Sequence, residues 1–340
     1  MEFIVQHLTS PAVLLFVLGL LAASWKSDLK FPPALMESLS IYLLLAIGLK
    51  GGMELAHFSL HELVKPAAVT IGIGVLIPFG VFAAARAFGF KQADAIAAAA
   101  TYGSVSIVTF GIAASYLQEL GMAYEGYMSA MVVLLESPAI LTSLLLYAIL
   151  KSAPASQGAR RTTQAVGVLP GGLSGLLAVK WGHVLREGLL GQSVLLLIGG
   201  LVIGMAAGEN ALPVAKPLFI DLYPSILMLF LLGMGLKAGE RLGELKAQGL
   251  RVVGLALLLP PVLGAIGVLL GHWSGMSVGG AALLGVMAAS GSYIAAPAAL
   301  RTAVPEANPS VYIGMALAVT FPFNLLIGLP LMVQLAQALG

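Results

Sequence analysis

Apolar stretches about as long as a bilayer-crossing helix recur along the whole chain, and no other feature narrows its possible folds as much. A hydrocarbon core of about 30 Å is spanned by about 20 helical residues, and runs of that kind follow one another from Pro11 to Leu339. Backbone groups in lipid find no water, so spanning segments are helices or closed barrels. The apolar residues do not alternate as barrel strands do, so helices follow. Composition agrees: 9% of the 340 residues are charged, 59% are hydrophobic and the mean hydropathy is +1.00. That is too few charges to cover a soluble surface of this size. The chain has no cysteine, so disulfides and thiol chemistry play no part. The residues before Pro11 lack the basic start of a cleaved signal, and the first run is read as a membrane span.

Ten spans are predicted, at 9–25, 33–50, 65–88, 93–118, 124–150, 190–207, 221–238, 250–271, 278–300 and 310–338. Pro32-Pro33 opens the second, where a missing N–H costs nothing. The longest polar stretch, 151–189, reads as a cytoplasmic linker with one amphipathic helix near Trp181–Leu190. The fold expected is an all-α polytopic membrane protein. It has an N-terminal five-helix repeat at 1–150, the linker, and an inverted C-terminal five-helix repeat at 190–340. Basic residues concentrate on the cytoplasmic side of membrane proteins. With the linker inside, only Lys50, Lys65 and Lys216 of the 17 basic residues fall outside. Both termini are then outside, in a bacterial inner (plasma) membrane. Trp25, Trp181 and Trp273 suit the interfacial belts.

The halves resemble each other. Gly48-Leu49-Lys50-Gly51-Gly52 ends the second predicted span and Gly235-Leu236-Lys237-Ala238-Gly239 the seventh. Tyr102-Gly103-Ser104-Val105 lies over Ser290-Gly291-Ser292-Tyr293 at an offset of 188 positions, which also sets Tyr124 over Tyr312, Gly126 over Gly314 and Glu136 over Asn324. Five spans per half is an odd number, so the second half is flipped. Secondary transporters use such inverted repeats and bind substrate near the midplane, where the repeats meet.

The fourth and ninth spans each carry a Gly/Ser break at mid-membrane depth. A broken helix offers free N–H groups and partial positive charge to an anion, hydroxyls add donors, and freed carbonyls suit a cation. Residues 103–106 and 290–293 are therefore expected to face each other and cradle a substrate. Close helix packing through small residues is the competing reading of each break taken alone. Glu136, beside Ser137 and Pro138, is the deepest carboxylate, and intramembrane carboxylates are functional candidates by default. It is read as a cation ligand or proton carrier, with Asn324 as its neutral counterpart. Thr109, Ser129 and Thr320 add hydroxyls that read as packing. Lys50 and Lys237 read as lysines at span ends reaching water. His57 and His61 have metal-ligand spacing but no third ligand, and read as a solvated loop. With no phosphate-binding loop, energy comes from an ion gradient or the solute runs downhill.

Several stretches resemble SbtA-type sodium-dependent bicarbonate transporters. They are Ala299-Leu300-Arg301, Pro305, Ala307 to Gly314, Gly48 to Gly52, Tyr102 to Phe110, Ser225 to Leu229 with Gly233-Met234-Gly235, and Leu329-Pro330-Leu331 to Gln337. The resemblance covers all but the linker. It implies a gate subdomain (spans one, two, six and seven), a core subdomain (the rest), a homotrimer, and sodium-coupled bicarbonate import. It also implies inhibition by a PII-like protein on the cytoplasmic side. The substrate residues implied are Gly103, Ser104, Ser106, Ser290, Gly291 and Ser292; Glu136, Thr109, Tyr293 and Asn324 are the candidates for cation binding or coupling. The resemblance departs at two positions, where family members carry Asp in place of Tyr293 and of Glu136. Sodium is the one ion expected; no cofactor, other metal, nucleic acid or enzymatic activity is. Two other functions stay open: a proton- or sodium-coupled carrier of a small organic anion, and a membrane receptor or scaffold that does not transport.

Overall fold

A computed structural model describes residues 7–152, 190–208, 212–246 and 248–340. The linker and its expected amphipathic helix with Trp181 lie outside the described residues.

The described residues are helical, with no strand among them. The helices are α1 (Pro11–Ser24), α2 (Pro33–Leu55), α3 (Leu60–Ala87), α4 (Gln92–Gly103), α5 (Ile107–Glu119), α6 (Met128–Ser152), α7 (Gln192–Ala207), α8 (Tyr223–Lys246), α9 (Leu250–Ser274), α10 (Val278–Ala289) and α11 (Ala295–Ala303). The last, α12, runs over Pro309–Leu339 with π-helical turns at Met315–Thr320 and Asn324–Gly328. A π-helical segment, Lys216–Asp221, leads into α8.

Local chemistry explains most of the ends. Pro11 and Pro33 open their helices, and Ser10 caps α1 by accepting from the Val13 N–H. Ser59 and Glu62 form a reciprocal capping box on α3. Gly275 closes α9 at φ +88°, a conformation that favours glycine.

Seven stretches are long and apolar enough to cross a bilayer: Pro33–Leu55, His61–Ala87, Gln92–Glu119, Met128–Lys151, Pro213–Leu245, Leu250–Ser274 and Pro309–Leu339. Pro11–Ser24, Gln192–Ala207 and Val278–Ala289 are shorter apolar helices. Each predicted span overlaps one of these helical stretches, and two expectations about ends are corrected. Helix α2 continues past Gly52 to Leu55, and α8 past Gly239 to Lys246. Lys50 and Lys237 therefore lie inside helices. They stay wet because cavities open onto them, described below. His61 likewise sits in the first turn of α3, not in a loop.

Helices pack in pairs through glycine. A Cβ on Gly48 or Gly52 of α2 would meet the Leu197 or Leu201 carbonyl of α7 at 2.8 or 2.2 Å. On Gly235 or Gly239 of α8 it would meet the Phe16 or Leu20 carbonyl of α1 at 2.1 or 3.1 Å. With no hydrophobic drive between helices in lipid, such close approach supplies the packing energy. A second group forms around α3, α4 and α6, and a third around α9, α10 and α12. The broken segment α4–α5 is shielded from lipid: 94% of the most apolar stretch of Gln92–Glu119 is buried inside the protein. Large apolar side chains of α3 and α9, such as Leu76, Phe79, Val262 and Leu269, instead point outward, as a lipid-facing surface requires.

Polar contacts mark two opposite ends. At one, Lys151 bridges Glu306 at 3.1 Å, and Asp94 accepts the Asn308 N–H at 2.8 Å. At the other, the Lys65 ammonium donates to the Trp273 carbonyl and lies 4.8 Å from its ring, and Lys50 approaches Glu54 at 3.9 Å.

The glycine contacts predict a sharp contrast within α7. In Gly204→Ala the new methyl would lie 2.3 Å from the Leu49 carbonyl, whereas Gly199 faces nothing within 4 Å. Overpacking of this kind costs about 1–3 kcal/mol. Gly204→Ala should melt earlier in detergent, and Gly199→Ala should match or exceed the parent.

Candidate functional site

The two helix breaks meet. The α4 helix ends at Gly103, with Ser104 at φ −86°, ψ 169°; α10 ends at Ala289, with Ser290 at φ −87°, ψ 164°. Both helices are 12 residues long. The chain resumes as helix at Ile107 in the first case and at Ala295 in the second, so the second break is two residues longer. Matched by their helix ends, Ser104 corresponds to Ser290. The offset of 188 positions describes only the helices after the breaks, Ile107 with Ala295.

Two hydrogen bonds tie the breaks together: the Ser106 N–H donates to Ser290 Oγ at 2.9 Å, and the Ser292 N–H to the Thr101 carbonyl at 2.8 Å. Each break leaves backbone groups that its own helix cannot satisfy, and each finds partners on the other. The hydroxyls of Ser106, Ser290 and Ser292 are also engaged. Ser106 Oγ accepts the Thr109 N–H at 3.2 Å and so caps α5; Ser290 Oγ donates to the Met287 carbonyl at 2.7 Å; Ser292 Oγ accepts the Ala296 N–H at 3.2 Å. Gly103 is where α4 wedges between α3 and α6, because a Cβ there would meet Pro78 at 2.6 Å and Ala139 at 2.9 Å. Gly291 packs near Ala316 and Thr101.

Against this background a few buried oxygens stand without hydrogen-bond partners: the Thr101 and Ser104 hydroxyls, both carboxyl oxygens of Glu136, and Asn324 Oδ1. Thr101 and Ser104 flank the first break. Asn324 Nδ2 donates at 2.8 Å to the carbonyl of Ala289, the last residue before the second. Glu136 is fully buried on α6, one turn before Ala139, which touches Gly103. Tyr102 extends the network, its hydroxyl 2.6 Å from that of Thr320, which donates to the Ala256 carbonyl at 2.9 Å. Thr101 and Tyr102 were missed by sequence reasoning. The signal available was a polar pair in mid-span directly before the Gly-Ser break.

The crossing lies beneath a cavity of about 670 Å³ between α2, α7, α8, α11 and α12. Lys237, Arg241 and Arg301 line it with Glu37 and Glu240, an excess of one positive charge. At its floor stand Tyr293 and Ile294. Of the ten predicted site residues Tyr293 alone lines this cavity; the other nine are buried below it. Residues 103–106 and 290–293 thus face each other across two hydrogen bonds. The breaks bond directly to each other, and the Tyr293 ring, edge-on to Phe321 at 5.7 Å, covers them. Lys50, Glu54, His57 and Tyr124 line a separate vestibule of about 330 Å³ at the opposite end.

Among the described residues, no cluster of three or more His, Cys, Asp or Glu side chains could hold a metal ion. These unpartnered atoms are all oxygens, a donor type that suits a hard cation better than a soft one. The sequence matches the family model of the Na+-dependent bicarbonate transporter superfamily over residues 11–337. The chain belongs to that superfamily. As a member of a transporter family it is a multi-pass membrane protein and not an enzyme. No curated protein matches it.

The crossed bonds carry a prediction for this transporter. Ser290→Ala removes the acceptor of the buried Ser106 N–H, and an orphaned buried donor costs about 1–3 kcal/mol. Thermal stability in detergent should fall by that amount, and Ser290→Thr should restore most of it.

Proposed function

We propose that this protein imports a small anion together with sodium, bicarbonate being the anion, through the crossing of its two helix breaks. The unpartnered buried oxygens of Thr101, Ser104, Glu136 and Asn324 carry this reading. Buried polar atoms in native proteins nearly always have partners, and a membrane interior offers no water to supply them. Sodium, which takes oxygen ligands, would find a carboxylate, an amide oxygen and two hydroxyls around one crossing. The anion would use the break N–H groups of Ser106 and Ser292, exchanging their present bonds as Tyr293 swings aside.

Energetics favour pairing the two. Moving one anion inward against about 100 mV costs roughly 2.3 kcal/mol. One co-transported sodium cancels that charge and adds about 1.4 kcal/mol per tenfold gradient.

The same proposal includes ten crossings arranged as inverted halves, 1–150 and 190–340, joined by the 151–189 linker. The glycine contacts support it. Gly48 and Gly52 stand to Leu197 and Leu201 as Gly235 and Gly239 stand to Phe16 and Leu20, with the halves exchanged. In this reading α1, α2, α7 and α8 form the gate and the other helices the core, which slides against it. The distribution of basic residues adds an inner-membrane orientation with both termini outside, and the family resemblance adds a homotrimer and a PII-like regulator on the cytoplasmic side.

Reconstituted into liposomes, the protein should take up labelled bicarbonate, faster with sodium outside than without. No uptake under either condition would sink the assignment. Glu136→Gln keeps the shape but removes the carboxylate. Losing one charged ligand is worth about 1.5–3 kcal/mol, so sodium-stimulated uptake should fall about ten- to a hundredfold.

A further inference from the structure

Three cavities lie in series through the protein. The large one ends at Leu44 and Ile294. Both residues also border a void of only about 10 Å³, whose other walls include Leu43, Ile107, Val108 and Leu227. That void is at the lower bound for a single water, and apart from Ser40 and Tyr223 its lining is apolar, so the passage is closed there. Ile47 and Tyr223 border the void and also a pocket of about 80 Å³ on the Lys50 side. The protein is thus open toward Arg301 and sealed toward Lys50, with Tyr223 at the outer face of the seal.

Tyr223 is held there by an unusual seat. Its hydroxyl lies where a Cβ on Gly111 would be: the added atom would stand 2.1 Å from Oη but 3.4 Å from Cζ. Only glycine at 111 admits the hydroxyl, while a ring without it would fit beside alanine in ordinary contact. Tyr223 begins α8 and Gly111 lies in α5, so the contact joins the two bodies that the proposed cycle moves past each other. The approach to Tyr223 is itself anchored, since the Tyr42 hydroxyl donates to the Leu218 carbonyl and its ring stacks on Phe219 at 5.8 Å.

We propose that Tyr223, seated against Gly111, bolts the Lys50-side entrance shut and is a positioning residue for the state open toward Arg301. This rests on the transporter reading for its purpose, but on neither bicarbonate nor sodium for its test. Any sliding of α5 against α8 withdraws the seat, so the bolt holds in one state and releases in the other. A two-state equilibrium is biased by any contact made in only one state.

The natural chain has no cysteine, so single cysteines report accessibility directly. Ile294→Cys sits beneath the seal; Ser115→Cys lies in the Lys50-side pocket and Ala298→Cys in the large cavity. A membrane-impermeant maleimide is applied to intact cells and to inverted vesicles, and the preparation that labels Ser115→Cys identifies the Lys50 side. From that side, Ile294→Cys should react slowly in the parent and about tenfold faster with Tyr223→Ala or Gly111→Ala, the scale of a modest overpacking penalty. The double variant Gly111→Ala with Tyr223→Phe should return to within about twofold of the parent, because alanine then meets only the ring. Equal Ala298→Cys labelling from the opposite side throughout certifies folding. An unchanged rate in Gly111→Ala, or a double variant as reactive as Gly111→Ala alone, overturns the proposal. Bicarbonate uptake is not measured, so a wrong substrate assignment leaves this result intact.

Discussion

A peptide group inside a bilayer must bond to protein, and the crossing of the two breaks is this chain's answer to that constraint. Interrupting a helix at mid-membrane depth strands N–H and C=O groups. One interruption alone would leave them exposed to lipid or to each other's absence of partners. Two interruptions laid across each other satisfy the Ser106 and Ser292 N–H groups reciprocally. The surrounding architecture follows from keeping that junction together and dry. Helices α3 and α9 wrap it, Gly103 lets α4 approach Pro78 and Ala139, and Asn324 holds the end of α10.

The fold was largely legible because hydropathy reports what a residue tolerates around it, one position at a time. Long apolar runs became helices, and the Gly-Ser interruptions became breaks. Helix ends were less legible. Gly52 and Gly239 look like terminators, yet both sit inside helices, because their missing side chains serve a neighbouring backbone and not a turn. The four-residue spacing of Gly48 and Gly52, of Gly200 and Gly204, and of Gly235 and Gly239 carried that message in the sequence.

The site was legible in its parts but not in its state. Nothing in a serine's identity says whether its hydroxyl is free, and those of Ser106, Ser290 and Ser292 all proved engaged. Tyr293 was visible as a departure from the family, but its position as the floor of a cavity depends on α2, α7 and α8, which are distant in sequence. Gly111 gave no signal at all. It is one small residue among many in α5, and its meaning comes from a tyrosine more than a hundred positions away.

The second break is longer than the first by two residues, one of which is a bulky aromatic. A carrier with perfectly matched halves would offer its cargo the same pocket from either side of the membrane. Here the breaks differ at the very point of contact, so in the cycle proposed above an exchange of roles between the halves would give two unlike pockets. Gradients alone still fix how far the cargo accumulates. What such a mismatch would set is tempo: in that proposed cycle the forward and reverse half-cycles would saturate at different levels, a kinetic preference for one direction of flow.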